Sequence, residues 1–156
     1  MQAYQLSPKD SYRLVQITDC HLLAKPDASY QGCLPAEHLA AIVKQLCLQV
    51  PDAVIFTGDL TQDHTAASYQ LLHQLCLPLS CPVFLVPGNH DDLNELAQLS
   101  RQRPFQPADT VLLGAWQLFL LNTKGSTPAG EFPPERSSAL SRALNRSTAD
   151  YHWLFC

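Results

Sequence analysis

Three times within its first hundred residues the sequence runs from a short apolar strand through a polar loop into an amphipathic helix. This alternation limits the fold sharply, because parallel strands need long crossovers and the crossover helices must cover the faces of the sheet. The first unit opens on Tyr12–Thr18, β-rich and alternating, and passes through a loop holding Pro26, Gly32 and Pro35. Its helix sets Leu39, Ile42, Val43, Leu46 and Val50 on one stripe and stops at Pro51. The second unit joins Ala53–Thr57 to a helix from about Thr65 to Leu77, and the third joins Pro82–Val86 to a helix near Leu93–Leu99. Beyond Pro104 the pattern changes. Thr110–Leu113 and Trp116–Leu121, split by Gly114-Ala115, predict a hairpin. Gly125–Gly130 reads as a loop, Ser137–Arg146 as a helix, and Tyr151–Cys156 as the opening of a buried apolar strand. A chain that stops inside a core strand predicts a C-terminal truncation. The expected organisation is an N-terminal extension over residues 1–11 and one α/β domain over residues 12–156, a mixed sheet with helices on its faces.

A chain of 156 residues suits one domain with a real core. No apolar run is long enough to span a bilayer, and Met1–Asp10 lacks the basic-then-apolar order of a signal peptide, so a cytoplasmic protein without membrane contact is expected. The net charge of −4 and the absence of any Lys/Arg cluster argue against polymeric nucleic acid as a partner and favour a small molecule. The six cysteines include no CxxC pair and read as reduced thiols, mostly buried. Nothing in the sequence fixes an oligomeric state.

The chemistry concentrates in three short motifs, one at the carboxyl end of each of the first three strands: Asp19-Cys20-His21, Gly58-Asp59 extended through Asp63, and Gly88-Asn89-His90-Asp91. Open α/β sheets bind ligands at that edge, so the three loops should converge. If the first motif is extended, Asp19 and His21 share a face and Cys20 points away. Carboxylates with an imidazole suit divalent Fe, Mn or Zn. Asp59 can bridge two ions about 3.5–4 Å apart, and Asn89 offers a neutral amide oxygen to the second. Such a pair generates hydroxide near neutral pH and neutralises phosphoryl oxygens. His90, beside Asn89, is then placed to protonate or stabilise the leaving oxygen. Gly58 and Gly88 allow sharp turns next to the ligands. Asp91 and Asp92 precede an apolar helix and fit N-capping as well as chemistry; Asp63 either caps the next helix or orients a ligand from behind. His38, His64, His73 and His152 lack ligand neighbours and read as surface or core residues.

At these residues the sequence resembles the calcineurin-like metallophosphoesterases, whose first three motifs it matches in order and approximate spacing. The stretches ITDCHLLAKPDASYQGC, TGDLTQDHTAASY and VPGNHDD are similar to bacterial class III cyclic-AMP phosphodiesterases in particular. The resemblance implies a four-layered α/β sandwich, of which this chain forms the N-terminal part. It implies two divalent ions, the first, usually iron, held by Asp19, His21 and Asp59 and the second by Asp59 and Asn89. It further implies that His21, Asp59, Asn89 and His90 surround the phosphate, and that the reaction opens a 3',5'-cyclic nucleotide to a 5'-monophosphate. The family often carries Thr where Cys20 stands. It also takes further metal-binding histidines from later motifs that this sequence does not reach, which would leave both ions under-coordinated. A phosphoesterase for another small ester, or an inactive remnant that binds metal weakly, are the alternatives.

Overall fold

A computed structural model describes all 156 residues. The three strand–loop–helix units form as the alternation predicts. Strands β2 (Leu14–Ile17), β3 (Ala53–Thr57) and β4 (Val83–Val86) make a wholly parallel sheet in the order β2-β3-β4. Helices α1 (Pro35–Leu48), α2 (Ala66–Cys76) and α3 (Leu93–Leu99) follow them. All three helices pack on one face of the sheet, where Leu39, Val43, Tyr69, Leu72 and Leu96 meet Val54, Phe56 and Val83 in one hydrophobic core. The opposite face, carrying Ala53, Ile55, Phe84 and Val86, packs against a second sheet through Val111, Leu113, Leu118 and Leu120. Burial on both faces is why Ala53–Phe56 reads as a continuous apolar run rather than an alternating one.

The second sheet is mixed. It runs β1 (Ala3–Gln5), β5 (Thr110–Leu113), β6 (Trp116–Leu120), β7 (Tyr151–Phe155), with β5 and β6 forming the predicted antiparallel hairpin and the outer strands pairing in parallel. Helix α4 (Pro134–Arg146) lies over its outer face. Three helices, two sheets and α4 give four layers. The last layer is loosely applied: no residue of α4 is buried. It is tied at its ends, where Arg136 donates to the Asn122 carbonyl (2.8 Å) and the Ser147 hydroxyl bonds the Gln117 amide oxygen (2.6 Å).

Several expectations need correction. The segment read as an N-terminal extension contributes β1, with Leu6 buried in the inter-sheet core; three residues are too short to show a strand period. The stripe on the first helix is only partly inward: Leu39 and Val43 are buried, Ile42 is 42% exposed, and Val50 lies beyond the helix end. Strand β7 is the last strand of the second sheet in this chain, with Tyr151, Trp153 and Leu154 exposed and Phe155 alone buried. The cysteines are all unpaired, but only Cys76 and Cys81 are buried; Cys33, Cys47 and Cys156 are exposed.

The link from β1 to β2 is pinned by Asp52, which accepts from the Lys9 ammonium and from the Arg13 amide (2.8 Å). The Lys9 hydrogen bond first, and the Arg13 amide second, hold this carboxyl below its ordinary value. A lowered folded-state value stabilises above the unfolded value, near 3.9 for Asp, and the stabilisation disappears as pH falls through the folded one. Asp52→Asn should therefore flatten the acid side of a urea-midpoint-versus-pH curve while costing less than about 1 kcal/mol at neutral pH. An unchanged acid limb would deny the linkage.

Candidate metal centre

The loops after β2, β3 and β4 are laced together by their backbones. The Asp19 amide donates to the Gly58 carbonyl (3.0 Å), His21 to Asp59 (2.9 Å), Leu22 to Leu60 (3.0 Å), and Gln62 returns to Leu22 (2.8 Å). The third loop is tied through a side chain: the His90 amide donates to Asp59 Oδ1 at 3.0 Å. Asp19 and His21 do face together, but not because the motif is extended. Asp19 (φ 56°), His21 (φ 43°) and Asp59 (φ 52°) all adopt the left-handed conformation that costs an L-residue about 1–2 kcal/mol. Backbone strain of this kind is held only where surrounding contacts over-determine it. Cys20 turns inward against the helix-side core. Burial, and then the charges of Asp91 and Asp19, push its thiol up to about 12, so at neutral pH it stays protonated and supplies no thiolate.

One donor atom each from Asp19, His21 and Asp59 lies within 4.8 Å of the others. His21 Nε2 stands 3.7 Å from Asp19 Oδ1 and 3.9 Å from Asp59 Oδ2. These gaps are too long for hydrogen bonds. They match the edges of a coordination polyhedron, since ligands about 2.0–2.2 Å from one ion stand roughly 3–4 Å apart. The other ring nitrogen, Nδ1, is 2.9 Å from Gln62 Oε1. An amide oxygen there requires Nδ1 to carry the proton, which leaves the Nε2 lone pair directed at the two carboxylates. Two carboxylates, one oriented imidazole and no competing cation among them fit a divalent transition metal.

Glycines permit the close approach. Gly58 has φ +94°, and a Cβ on it would sit 2.7 Å from Gly88 Cα. Gly88, contrary to expectation, needs no special φ; its requirement is steric, because a Cβ there would meet Asp59 Oδ1 at 2.2 Å. Asp91 does not cap α3. That is done by Asp92, which accepts from the Asn94 and Glu95 amides. Asp91 is buried and accepts from Leu60 N (3.0 Å), Gly88 N (2.9 Å) and the Tyr69 hydroxyl (3.2 Å), joining the second and third loops from beneath. Burial pushes its carboxyl above the usual range against the pull of the Gly88 and Leu60 amides. Asp63 is not the cap of α2 either; Thr65 is, and Asp63 binds Thr65 and the Ala24 amide (2.8 Å), joining the first loop to the second.

Asn89 is exposed, and the Lys124 ammonium donates to its carbonyl at 2.5 Å. The His90 ring lies between two others, edge-on to His21 (centroids 5.4 Å) and stacked on His64 (5.7 Å, 10° between planes), and its Nδ1 is buried without a partner. Tyr30 stacks on His21 at 4.9 Å. Gln62, Tyr30 and Lys124 were therefore missed beside the candidate ligands, and His64, exposed as a surface histidine should be, was not expected to stack on His90. The one available signal was position: Gln62 and His64 flank Asp63 in the loop after β3.

Residues 12–148 match the family model of the calcineurin-like phosphoesterases. A protein of Pseudoalteromonas sp. (strain SM9913) named a probable cyclic nucleotide phosphodiesterase is 40% identical over 146 residues, 92% of this chain and 55% of the relative. A probable cyclic nucleotide phosphodiesterase of Colwellia psychrerythraea is 34% identical over 139 residues, 85% of this chain and 51% of the relative. The 3',5'-cyclic adenosine monophosphate phosphodiesterase of Haemophilus influenzae is 31% identical over 147 residues, 92% of this chain and 54% of its own length. The chain thus spans about half the length of the curated relatives it matches.

Proposed function

This chain belongs to the calcineurin-like phosphoesterase family, and from that premise we propose that it carries the first part of a two-metal site for hydrolysing a phosphodiester, 3',5'-cyclic AMP being the substrate we favour. The observation that carries the proposal is the trio of Asp19, His21 and Asp59 donor atoms within 4.8 Å of one another. Those three residues would hold one ion, and Asp59 with Asn89 would contribute to a second, drawn from Fe, Mn or Zn. When bound, divalent ions supply Lewis acidity, water of lowered pKa and neutralisation of phosphoryl charge. The remaining work falls to the chain itself. Gln62 fixes the tautomer of His21, and the Asp59 carboxylate positions the His90 backbone. His90 then gives a proton to the leaving oxygen or stabilises its charge, while His21, Asp59, Asn89 and His90 line the phosphate. The names of the relatives support a cyclic nucleotide as substrate. We place the protein in the cytoplasm, and the −4 charge supports a small molecule over polymeric nucleic acid. No helix is long and apolar enough to cross a membrane.

Equilibrium dialysis against Mn²⁺, Fe²⁺ or Zn²⁺ should give saturable binding, and inorganic phosphate should bind only to metal-loaded protein. Phosphate binding indifferent to metal, or no saturable metal binding, contradicts the proposal. Because four ligand side chains are few for two ions, hydrolysis of cyclic AMP or bis(p-nitrophenyl) phosphate by the 156 residues alone should stay near the uncatalysed rate; metal-dependent turnover would show that the four suffice. His90→Ala should leave metal content unchanged and lower any measurable turnover most on poor leaving groups. Metal lost with that imidazole would make His90 a ligand instead.

A further inference from the structure

Beside the metal centre lies a cavity of about 370 Å³ whose wall includes Asp19 and His21 themselves. About half of its lining is apolar, with Tyr30, Leu39 and Ile42 among it, and Thr18, Gln31 and His38 add polar groups. Ile42 falls on the stripe that predicts core burial, yet it stays 42% exposed and lines this cavity. An apolar side chain facing an unfilled space costs stability unless something covers it. The aromatic wall is also fixed in advance. Tyr30 and Cys33 exchange backbone hydrogen bonds of 2.9 and 3.0 Å across a tight turn whose central residues, Gln31 (φ 50°) and Gly32 (φ 80°), are both left-handed. The turn holds the Tyr30 ring against His21 at 4.9 Å and so at the border between cavity and metal centre.

We propose, resting on the phosphoesterase reading above, that this cavity seats the nucleobase of a nucleotide whose phosphate lies at Asp19, His21 and Asp59. A base is flat, apolar on its faces and polar at its edge, which suits a slot with aliphatic and aromatic walls and His38 on its lining. Its volume lies within the range of small-ligand sites. Continuity through Asp19 and His21 lets one molecule occupy both places, whereas inorganic phosphate or a small alkyl ester would leave the slot empty.

Cys33 allows a test that needs neither metal nor turnover. It lines the cavity and is exposed, while Cys47 and Cys156, also exposed, are absent from the lining and serve as internal controls. Adenosine at ten times its dissociation constant should slow alkylation of Cys33 by N-ethylmaleimide about tenfold, the factor mass action gives, without slowing Cys47 or Cys156. Ribose should not protect. Ile42→Glu, at a position already exposed, should abolish the protection and leave metal binding unchanged. Unprotected Cys33, equal protection by ribose, or protection surviving Ile42→Glu would overturn the base seat while metal-dependent phosphate binding stood. Protection of Cys33 together with metal-independent phosphate binding would remove the reaction instead, and with it the assignment of the base to a substrate.

Discussion

Replacing Asp59 with Asn should lower affinity for the first divalent ion by more than about 100-fold, beyond the 10–100-fold typical of losing an outer hydrogen-bond partner of a ligand. The change is nearly isosteric. Its remaining Oδ1 can still accept the His90 amide, a bond of 3.0 Å, so the three loops keep their arrangement and stability should change by no more than about 1 kcal/mol. What disappears is one of two negative charges facing His21 Nε2, here from 3.9 Å away. Titration with Mn²⁺ or Zn²⁺, alongside urea unfolding of the same samples, separates the two effects. Unaltered metal affinity in the folded variant would mean that the Asp19–His21–Asp59 trio is a surface coincidence and holds no ion.

Gly88→Ala should be the most damaging single methyl added to this protein. Its Cβ would lie 2.2 Å from Asp59 Oδ1 and 2.4 Å from Asp59 N, distances that no side-chain rotation relieves because one partner is backbone. The third loop must then move away from the second, disrupting the bonds from the Gly88 amide to Asp91 and from the His90 amide to Asp59. Overpacking costs about 1–3 kcal/mol, and each orphaned buried group about 1–3 kcal/mol more, so a loss of about 3 kcal/mol or above is expected, with metal binding lost too. Gly32→Ala provides the contrast. Unlike Gly88 it has a left-handed backbone, φ +80°, but nothing lies within 4 Å of its new methyl, so it should cost only the conformational penalty of about 1–2 kcal/mol. Equal urea midpoints for the two variants would deny the tight approach at Gly88.

The candidate site was legible in the sequence as far as local signals reach. Asp19, His21, Asp59, Asn89 and His90 each follow an apolar run that becomes a strand, and parallel strands carry their C-terminal loops to one edge. The residues that orient them were not legible. Gln62 meets His21 from 41 positions away, and Lys124 meets Asn89 from 35. Nothing near either end of those pairs marks the partner. His64 looks like any loop histidine until it stacks on His90.

By itself the sequence determined which segments become strands and helices and which motifs sit where strands end, because hydrophobic period and turn chemistry are written into a few adjacent residues. The bounds of α3, the parallel sheet and the β5–β6 hairpin all follow from it. Tertiary structure alone decided that three residues near Met1 join a sheet and that Ile42 lines a cavity rather than the core. It also decided that Asp19, His21 and Asp59 reach one point through left-handed backbones rather than an extended strand. Those outcomes depend on which surfaces meet across tens of residues, and burial, steric approach and a shared hydrogen bond exist only once the chain has closed on itself.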